Sequence, residues 1–238
     1  MTTVLPNACV FLGRTRTAVL LRWALLVGAV CSPAAVAQQP PVHWLHAGAM
    51  PPGAIGNLRL MRGGPVSGYF QPVRVRAPEG ARISLAAEGG FNDLQSNNVI
   101  VGLLIGPVYR MHVSGVGPHQ DQTVYPTVEV VDRLYPPTGL ATRYPIPIEL
   151  TADECDMAVQ GMFVTRVIYL ENPNEALPVN EKPGDEQQWV EAPHGADPLV
   201  VADEMGRPVA ILRIGGRVPT STGVALDACP PPVQHFAN

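Results

Sequence analysis

The stretch that decides the fold is "VIVGLLIGPVYRMHVSG", residues 99–115. Apolar side chains recur at every second position, which places them on one face of an extended chain. They are Val99, Val101, Leu103, Ile105, Tyr109, Met111 and Val113. The opposite face changes from apolar Ile100 and Leu104 to polar Arg110 and His112. The pattern predicts one long β-strand that is covered on both faces at its start and has one face in solvent at its end.

Glycine and proline interrupt this strand at its centre. Gly106-Pro107 predicts a bulge or bend there, because proline has no amide hydrogen to donate within a central ladder. Other alternating or apolar segments predict further strands at 69–78, 79–90, 122–137, 145–150, 163–171 and 207–216. The prolines of 145–150 place that strand at a sheet edge, while residues 91–98 read as a polar loop.

In the segment 122–137 the two faces are expected to differ. The buried face would hold Val124, Val128, Val130 and Leu134, and the solvated face Tyr125, Thr127, Glu129 and Arg133. Glu129 and Asp132 then point to opposite faces. This argues against their acting together as a catalytic carboxylate pair.

Three carboxylates surround Cys155 in "TADECDMAVQG", residues 151–161. Thr151 and Glu154 fit a capping box, in which each satisfies a backbone amide at the start of a helix. Negative charge in the first turns also suits the helix dipole, so Asp153, Glu154 and Asp156 are read as capping residues that face solvent. Cys155 falls on the apolar face, and Gly161 ends the helix.

A second helix of the same design is expected in "ADPLVVADEMG", residues 196–206. Asp197 is the N-cap, Pro198 occupies the first helical position and Gly206 ends the helix directly before a strand. The fold class predicted is mainly β, an antiparallel β-sandwich of immunoglobulin-like layout with two short helices. The alternative is an α+β fold whose mixed sheet contains parallel strands at 163–171 and 207–214.

Residues 1–37 have the pattern of a secretory signal peptide. Three arginines and no acidic residue precede or flank the apolar run Trp23–Val30, and Ala35-Val36-Ala37 is a small-x-small cleavage site. Cleavage is expected between Ala37 and Gln38. The alternatives are lipid acylation at Cys31 and retention of the segment as an uncleaved anchor.

Cleavage would leave an acidic chain. It removes three of the 16 basic residues and none of the 20 acidic ones, so the formal charge falls from −4 to −7. Such a surface argues against nucleic acid as a partner, and no later segment is apolar enough to span a membrane. The mature chain is divided into a Pro/Gly-rich extended lead-in (38–67), a sandwich domain (68–217) and a loosely ordered tail (218–238).

Two cysteines, Cys155 and Cys229, follow the expected cleavage site. In an oxidising compartment they could form a disulfide that ties the tail to the domain. The alternative is two independent cysteines, since the sequence does not show whether their Cα atoms lie within bonding reach. Both readings stay open.

No motif for a catalytic, cofactor or metal site is recognised. His43 and His46 are three residues apart, which is only a weak signal for a metal pair. His112 and His119 are read as a surface residue and a loop residue and not as ligands. The loop 171–187 is rich in acids but matches no calcium-binding pattern. A small aromatic platform for sugar could be built from Trp189, Tyr135 and Tyr144.

Several strings across residues 48–219 resemble a family of exported proteins from planctomycete bacteria. They are "MPPGAIG", "RGGPVSGYFQPV", "VGLLIGPVYR", "VYPTVEVVDRLYPP", "PIPIEL", "VTRVIYLE" and "GRPVAILRIGGR". The resemblance implies a bacterial envelope setting and carries over no activity and no site residue.

Two functions remain as hypotheses. The first is a non-enzymatic envelope or secreted protein that acts as a structural or protein-interaction module, with an envelope or extracellular protein as partner. The second is an exported hydrolase or carbohydrate-binding domain that uses carboxylates not recognisable from sequence. Two carboxylates facing each other across an aromatic-lined groove would favour the second.

Overall fold

The structure is a computed structural model. It describes residues 50–88, 90–94, 96–117, 120–174, 176, 189–193, 195–216 and 230–236. All of these lie in the second of the two units into which the chain divides, residues 42–238. The predicted signal peptide, with Ala37 and Gln38, and the predicted cysteine partner Cys229 lie outside the described residues.

Two β-sheets form the described domain. The smaller sheet has the order β11-β4-β1-β8, and the larger has the order β3-β2-β5-β7-β10-β9 with β6 added beside β5. Their strands are β1 (Phe70–Arg76), β2 (Arg82–Ala87), β3 (Gly90–Leu94), β4 (Asn98–Leu104), β5 (Val108–Val116), β6 (Gln122–Val124), β7 (Thr127–Val130), β8 (Ile146–Glu149), β9 (Val164–Glu171), β10 (Gly206–Ile214) and β11 (Val233–His235).

Almost all strand pairs are antiparallel, as the sandwich prediction requires. The exception among the named strands is β8, which runs parallel to β1 at the edge of the smaller sheet, so that sheet is mixed. The edge position predicted for residues 145–150 is therefore correct. Strands β9 and β10 are antiparallel, so the alternative with these two strands parallel is wrong.

The long strand predicted over 99–115 is two strands in two sheets. Strand β4 pairs with β1 in the smaller sheet, and β5 pairs with β2 and β7 in the larger one. The chain crosses between the sheets at Gly106, whose φ is 103°, a conformation that residues with a Cβ rarely adopt. The Gly-Pro pair thus marks a change of sheet and not a bulge within one strand.

The main core lies between the two sheets. It contains Val73, Leu103 and Ile148 from the smaller sheet, and Met111 and Leu212 from the larger one. All seven apolar residues predicted on one face of 99–115 belong to this core or pack against it. The mainly β sandwich predicted from the sequence is confirmed.

Helices cover parts of this sandwich. They are α1 (Ala54–Met61), α2 (Ala152–Val159) and α3 (Pro198–Met205). A second apolar cluster joins α1 and α3 to the outer face of the larger sheet through Ile55, Val131, Val167, Leu199, Ala202 and Ile211. Helix α2 places Cys155 and Ala158 in the main core instead.

Three local predictions are wrong. The lead-in 38–67 is not extended throughout, because α1 occupies its second half. Residues 91–98 are not a loop, since β3 pairs with β2. The tail 218–238 is not loose in its last part, because β11 pairs with β4, and Tyr109 Oη donates to Pro232 O at 2.9 Å. The partners of α1 and β11 are far away in the sequence, whereas β3 forms a hairpin with the preceding strand β2.

Candidate functional site

The residues expected to cap α2 do so. Thr151 Oγ1 accepts a hydrogen bond from the amide of Glu154, and Glu154 Oε2 accepts one from the amide of Thr151. Gly161 follows the helix with φ 90°, and its amide donates to Ala158 O. These contacts satisfy both ends of the helix locally.

Helix α3 has the second expected set of caps. The Asp197 carboxylate accepts from the amide of Leu199 at 2.9 Å, and Pro198 is the first helical residue. Gly206 is the C-cap with an extended φ of 171°. A Cβ at Gly206 would lie 2.0 Å from Leu170 O, so glycine is required by the close approach of β9.

Glu154 has a second role that the sequence did not indicate. It was expected to face solvent with Asp153, but its side chain is buried, and Oε1 lies 3.4 Å from Arg166 Nη1. Arg166 also donates to Glu149 O. Glu154 therefore joins α2 to strand β9 as well as capping its own helix.

Cys155 lies at the centre of the core, with none of its surface exposed. Burial raises the pKa of its thiol to about 12, and the nearby carboxylates of Glu154 and Asp156 contribute to the shift. A thiol with this pKa is protonated and unreactive near neutral pH. Cys155 has no disulfide partner among the described residues. The bridge to Cys229 stays a prediction.

Several other candidates lie wholly or partly outside the described residues. They are His43, His46, His119 and most of the acidic loop 171–187. His112 is described and contacts the rings of Phe91 and Tyr125, with centroid distances of 5.3 and 5.5 Å. Among the described residues, no three His, Cys, Asp or Glu side chains are grouped closely enough to bind a metal ion.

Glu129 was expected in solvent and is completely buried instead. Its Oε2 accepts from the amide of Gly53 at 2.9 Å, and its Oε1 accepts from the amide of Gly56 at 3.0 Å. Arg213 Nη1 lies 3.1 Å from Oε2 and balances the charge. The prediction failed because the alternation of β7 shows two faces but does not show that α1 covers the second one.

Glu129 provides the N-terminal cap that α1 lacks in its own sequence. Gly53, at the N-cap, has no side chain to accept the free amides of the first turn, and a carboxylate also suits the positive end of the helix. The contact requires glycine at position 56, since a Cβ there would lie 2.7 Å from Gly106 Cα and 2.9 Å from Val130 O. Two distant glycines and one buried acid thus hold the lead-in against the sheet.

Asp132 holds the other end of α1. Its Oδ2 lies 3.1 Å from Arg59 Nη1 on the helix and 2.7 Å from Arg207 Nη1 on β10. Arg59 Nη2 also lies 3.9 Å from Asp203 on α3. Asp132 therefore joins α1 and β10 through their arginines, and Arg59 also approaches α3.

Two tyrosines complete this group, which we call the arginine–tyrosine cluster. The cluster comprises Arg59, Tyr69, Asp132, Arg133, Tyr135 and Arg207. The guanidinium carbon of Arg133 lies 4.4 Å from the centre of the Tyr69 ring and 4.5 Å from that of Tyr135, and Arg207 lies 5.6 Å from the latter. Tyr135 is nevertheless 68% exposed. Its ring is held by arginines and open to solvent.

Buried backbone contacts fix the segment that carries the cluster. The amides of Val131 and Asp132 both donate to Val209 O in the larger sheet. The amide of Leu134 donates to Oε1 of Gln71, a buried side chain of the smaller sheet. Both sheets therefore position Arg133 and Tyr135.

The sequence contains only a partial signal for the cluster. Arg133 and Tyr135 are two residues apart, which places them on one face of an extended segment. Tyr69, directly before β1, and Arg207, on β10, are distant in sequence and have no local signal. A sugar-binding aromatic platform was predicted from Trp189, Tyr135 and Tyr144. All three side chains are exposed, and the ring of Tyr135 stacks against the guanidinium of Arg133.

A hollow elsewhere on the described domain is small. It has a volume of about 120 Å³ and is lined by Arg74, Arg76, Asn98, Pro147, Ile148 and Glu149. Its one carboxylate, Glu149, lies 3.0 Å from Arg76 Nη1. This arrangement differs from the paired carboxylates across a groove that glycoside hydrolysis requires.

Comparisons with known proteins add no relative. No family model, curated protein or solved structure matches the chain. The resemblance to exported planctomycete proteins stays a prediction. Within the described residues, every helix is too short or too polar to cross a bilayer.

Proposed function

We propose that this chain is an exported, non-enzymatic envelope or secreted protein that acts as a protein-interaction module through the arginine–tyrosine cluster. The observation that carries the proposal is the exposed ring of Tyr135, held in place by Arg133 and Arg207. Tyrosine and arginine are enriched among the residues that dominate binding energy at protein interfaces.

The rigidity of the cluster supports this proposal. Binding orders flexible side chains at a cost of about 0.5–1.5 kcal/mol each, and a preorganised surface reduces that cost. Tyr135 is held by cation–π contacts, and its backbone follows a segment fixed to Val209 and Gln71. An exposed aromatic residue held in this way is suited to a partner surface.

The surroundings of the buried carboxylates favour a non-enzymatic protein over the hydrolase alternative. Glu129 is paired with Arg213, Asp132 with Arg59 and Arg207, and Glu154 with Arg166. Each carboxylate also accepts a hydrogen bond from a backbone amide, so each holds part of the fold in place. These ion pairs and hydrogen bonds occupy the carboxylate oxygens that a hydrolase would have to present to its substrate.

Export is part of the proposal and is supported by the pattern of residues 1–37. A basic start, a short apolar run and Ala35-Val36-Ala37 are typical of a secretory signal. The resemblance to exported bacterial proteins agrees with this reading. Expression of the full chain in its source cells, followed by mass analysis, should give an extracytoplasmic protein that begins at Gln38.

The interaction itself is tested with two matched tyrosine variants. Tyr135→Ser removes the exposed ring of the cluster, whereas Tyr144→Ser removes a ring that is 50% exposed elsewhere. We expect native electrophoresis of gently solubilised envelope to show the wild type and Tyr144→Ser in one larger complex, and Tyr135→Ser as free protein. A complex that survives Tyr135→Ser, or turnover of a glycoside by the purified protein, would contradict the proposal.

A further inference from the structure

We infer that the arginine–tyrosine cluster binds a carboxylate side chain of an acidic polypeptide segment. This inference rests on the proposed interaction function and names the chemistry of its partner. Its starting point is Arg133, whose guanidinium lies between two tyrosine rings.

Arg133 differs from the other two arginines of the cluster. Arg59 and Arg207 share the carboxylate of Asp132, but no carboxylate among the described residues lies within ion-pair distance of Arg133. Its Nε, like that of Arg59, is buried without a hydrogen-bond partner. Its terminal nitrogens likewise form no hydrogen bond within the described part of the chain, so the guanidinium fork remains available as a donor.

The local charge is positive in a protein that is acidic as a whole. The cluster has three arginines and one carboxylate, Asp132. Counting also Asp203, whose carboxylate lies near Arg59, one net positive charge is left. The complete chain has a formal charge of −4. One carboxylate would neutralise the cluster, and the planar guanidinium matches a carboxylate through two parallel hydrogen bonds.

A polypeptide fits this surface better than a polyanion does. Acidic polysaccharides and nucleic acids reward several clustered positive charges, and here a single charge is in excess. The open ring of Tyr135 beside Arg133 offers an apolar contact for the residues that flank an acidic side chain. The pairing of an aromatic contact with one ion pair is typical of protein interfaces.

The test uses the full mature protein and the peptide acetyl-Leu-Glu-Leu-amide, with acetyl-Leu-Gln-Leu-amide as the uncharged probe. Arginine side-chain and backbone signals are followed by ¹H–¹⁵N NMR as the peptide concentration is raised to about 20 mM. A single contact of this kind is expected to have a dissociation constant in the millimolar range. We expect saturable shifts at Arg133 Nε and at the Leu134 amide with the glutamate peptide. The glutamine peptide should bind at least about tenfold more weakly.

Two arginine variants separate this site from general charge attraction. Arg133→Gln should abolish the saturable shift of the Leu134 amide, whereas Arg82→Gln, on an exposed position of β2, should retain it. Because Arg133 has no ion pair with a described carboxylate, its variant is expected to fold, and an unchanged melting temperature verifies this.

Four results would overturn the inference. They are the absence of any shift, equal shifts with both peptides, retention of the shift in Arg133→Gln, and tighter saturable binding of oligogalacturonate than of the glutamate peptide. The proposed function fails independently, when the native complex survives Tyr135→Ser.

Discussion

Three buried carboxylates of the described domain have arginine partners. The pairs of Glu129 and Asp132 join elements that are distant in sequence, whereas Glu154 and Arg166 join the consecutive elements α2 and β9. Glu129 is the most extreme, because none of its surface is exposed and its partners lie 73 to 84 residues away. Burying a lone charge is unfavourable by several kcal/mol, so such a group persists only when it is paired and hydrogen-bonded. At the scale of single residues, charge therefore determines which segments meet.

The pair Glu129–Arg213 can be tested by removing one charge. Glu129→Gln keeps the shape of the side chain but leaves Arg213 uncompensated, and breaking a buried pair in this way costs about 3–5 kcal/mol. We expect a loss of this size in the free energy of unfolding measured with urea. Glu149→Gln breaks the partly exposed pair with Arg76 and should cost less than about 1 kcal/mol. Equal losses in the two variants would show that Glu129 is not the structural contact described above.

The Cys155 thiol should be inert in the native protein. Because burial raises its pKa to about 12, the native protein should react with a thiol reagent at pH 8 only at the rate of unfolding. The pKa of the thiol is higher in the folded protein than in the unfolded chain, where it has its ordinary value of 9.0. The thiol therefore favours folding below pH 9, and this contribution to stability is lost as the pH rises towards 12. Rapid labelling at pH 8 would contradict its burial.

The same labelling experiment distinguishes the two cysteine hypotheses. If Cys155 and Cys229 are independent, urea without reductant should expose two reactive thiols in the mature chain. If they are bridged, labelling in urea should require a reductant. Intact mass before and after reduction gives the count of thiols directly.

At the scale of elements, the helices α2 and α3 differ from α1 in how their ends are satisfied. Thr151 and Asp197 cap their own helices, whereas the start of α1 depends on Glu129 of β7. The close approach at Gly56 makes this contact possible. Helix α1 is therefore a helix by virtue of tertiary contacts, as is common for short segments.

A methyl group at position 56 should separate α1 from the sheet. Gly56→Ala places a Cβ within 2.9 Å of backbone atoms of Gly106 and Val130, and such overpacking typically costs about 1–3 kcal/mol. We expect faster hydrogen exchange at the amides of 53–61. Gly90→Ala is the control, since no atom lies within 4 Å of its added Cβ. Unchanged exchange in Gly56→Ala would contradict the contact between α1 and the sheet.

The elements that sequence predicts well are those whose signals are local. The capping box of Thr151 and Glu154, the Asp197-Pro198 start and the alternation of 99–115 each lie within a few residues. The cover over Glu129 was not predictable in this way, because alternation in β7 is the same whether its second face meets water or α1. Likewise, Gly106-Pro107 indicates a break but not the sheet that β5 joins afterwards.

At the scale of the whole domain, contacts across the sandwich hold its first and last described segments. Helix α1 is held by Glu129 and Asp132, and the strand β11 is held by β4 and by Tyr109, whose hydroxyl accepts from the amide of Leu104 and donates to Pro232 O. The cluster at Arg133 and Tyr135 follows β7, where both sheets fix the backbone. A rigid scaffold that holds the exposed ring of Tyr135 in place suits the interaction module proposed above.

The most direct test of this claim places a photo-reactive phenylalanine derivative at position 135 or at position 144 in the source cells. Both positions hold exposed tyrosines, but only Tyr135 belongs to the arginine–tyrosine cluster. We predict one discrete cross-linked protein from position 135 and none from position 144. Cross-links of equal yield at both positions, or none at position 135, would contradict the account.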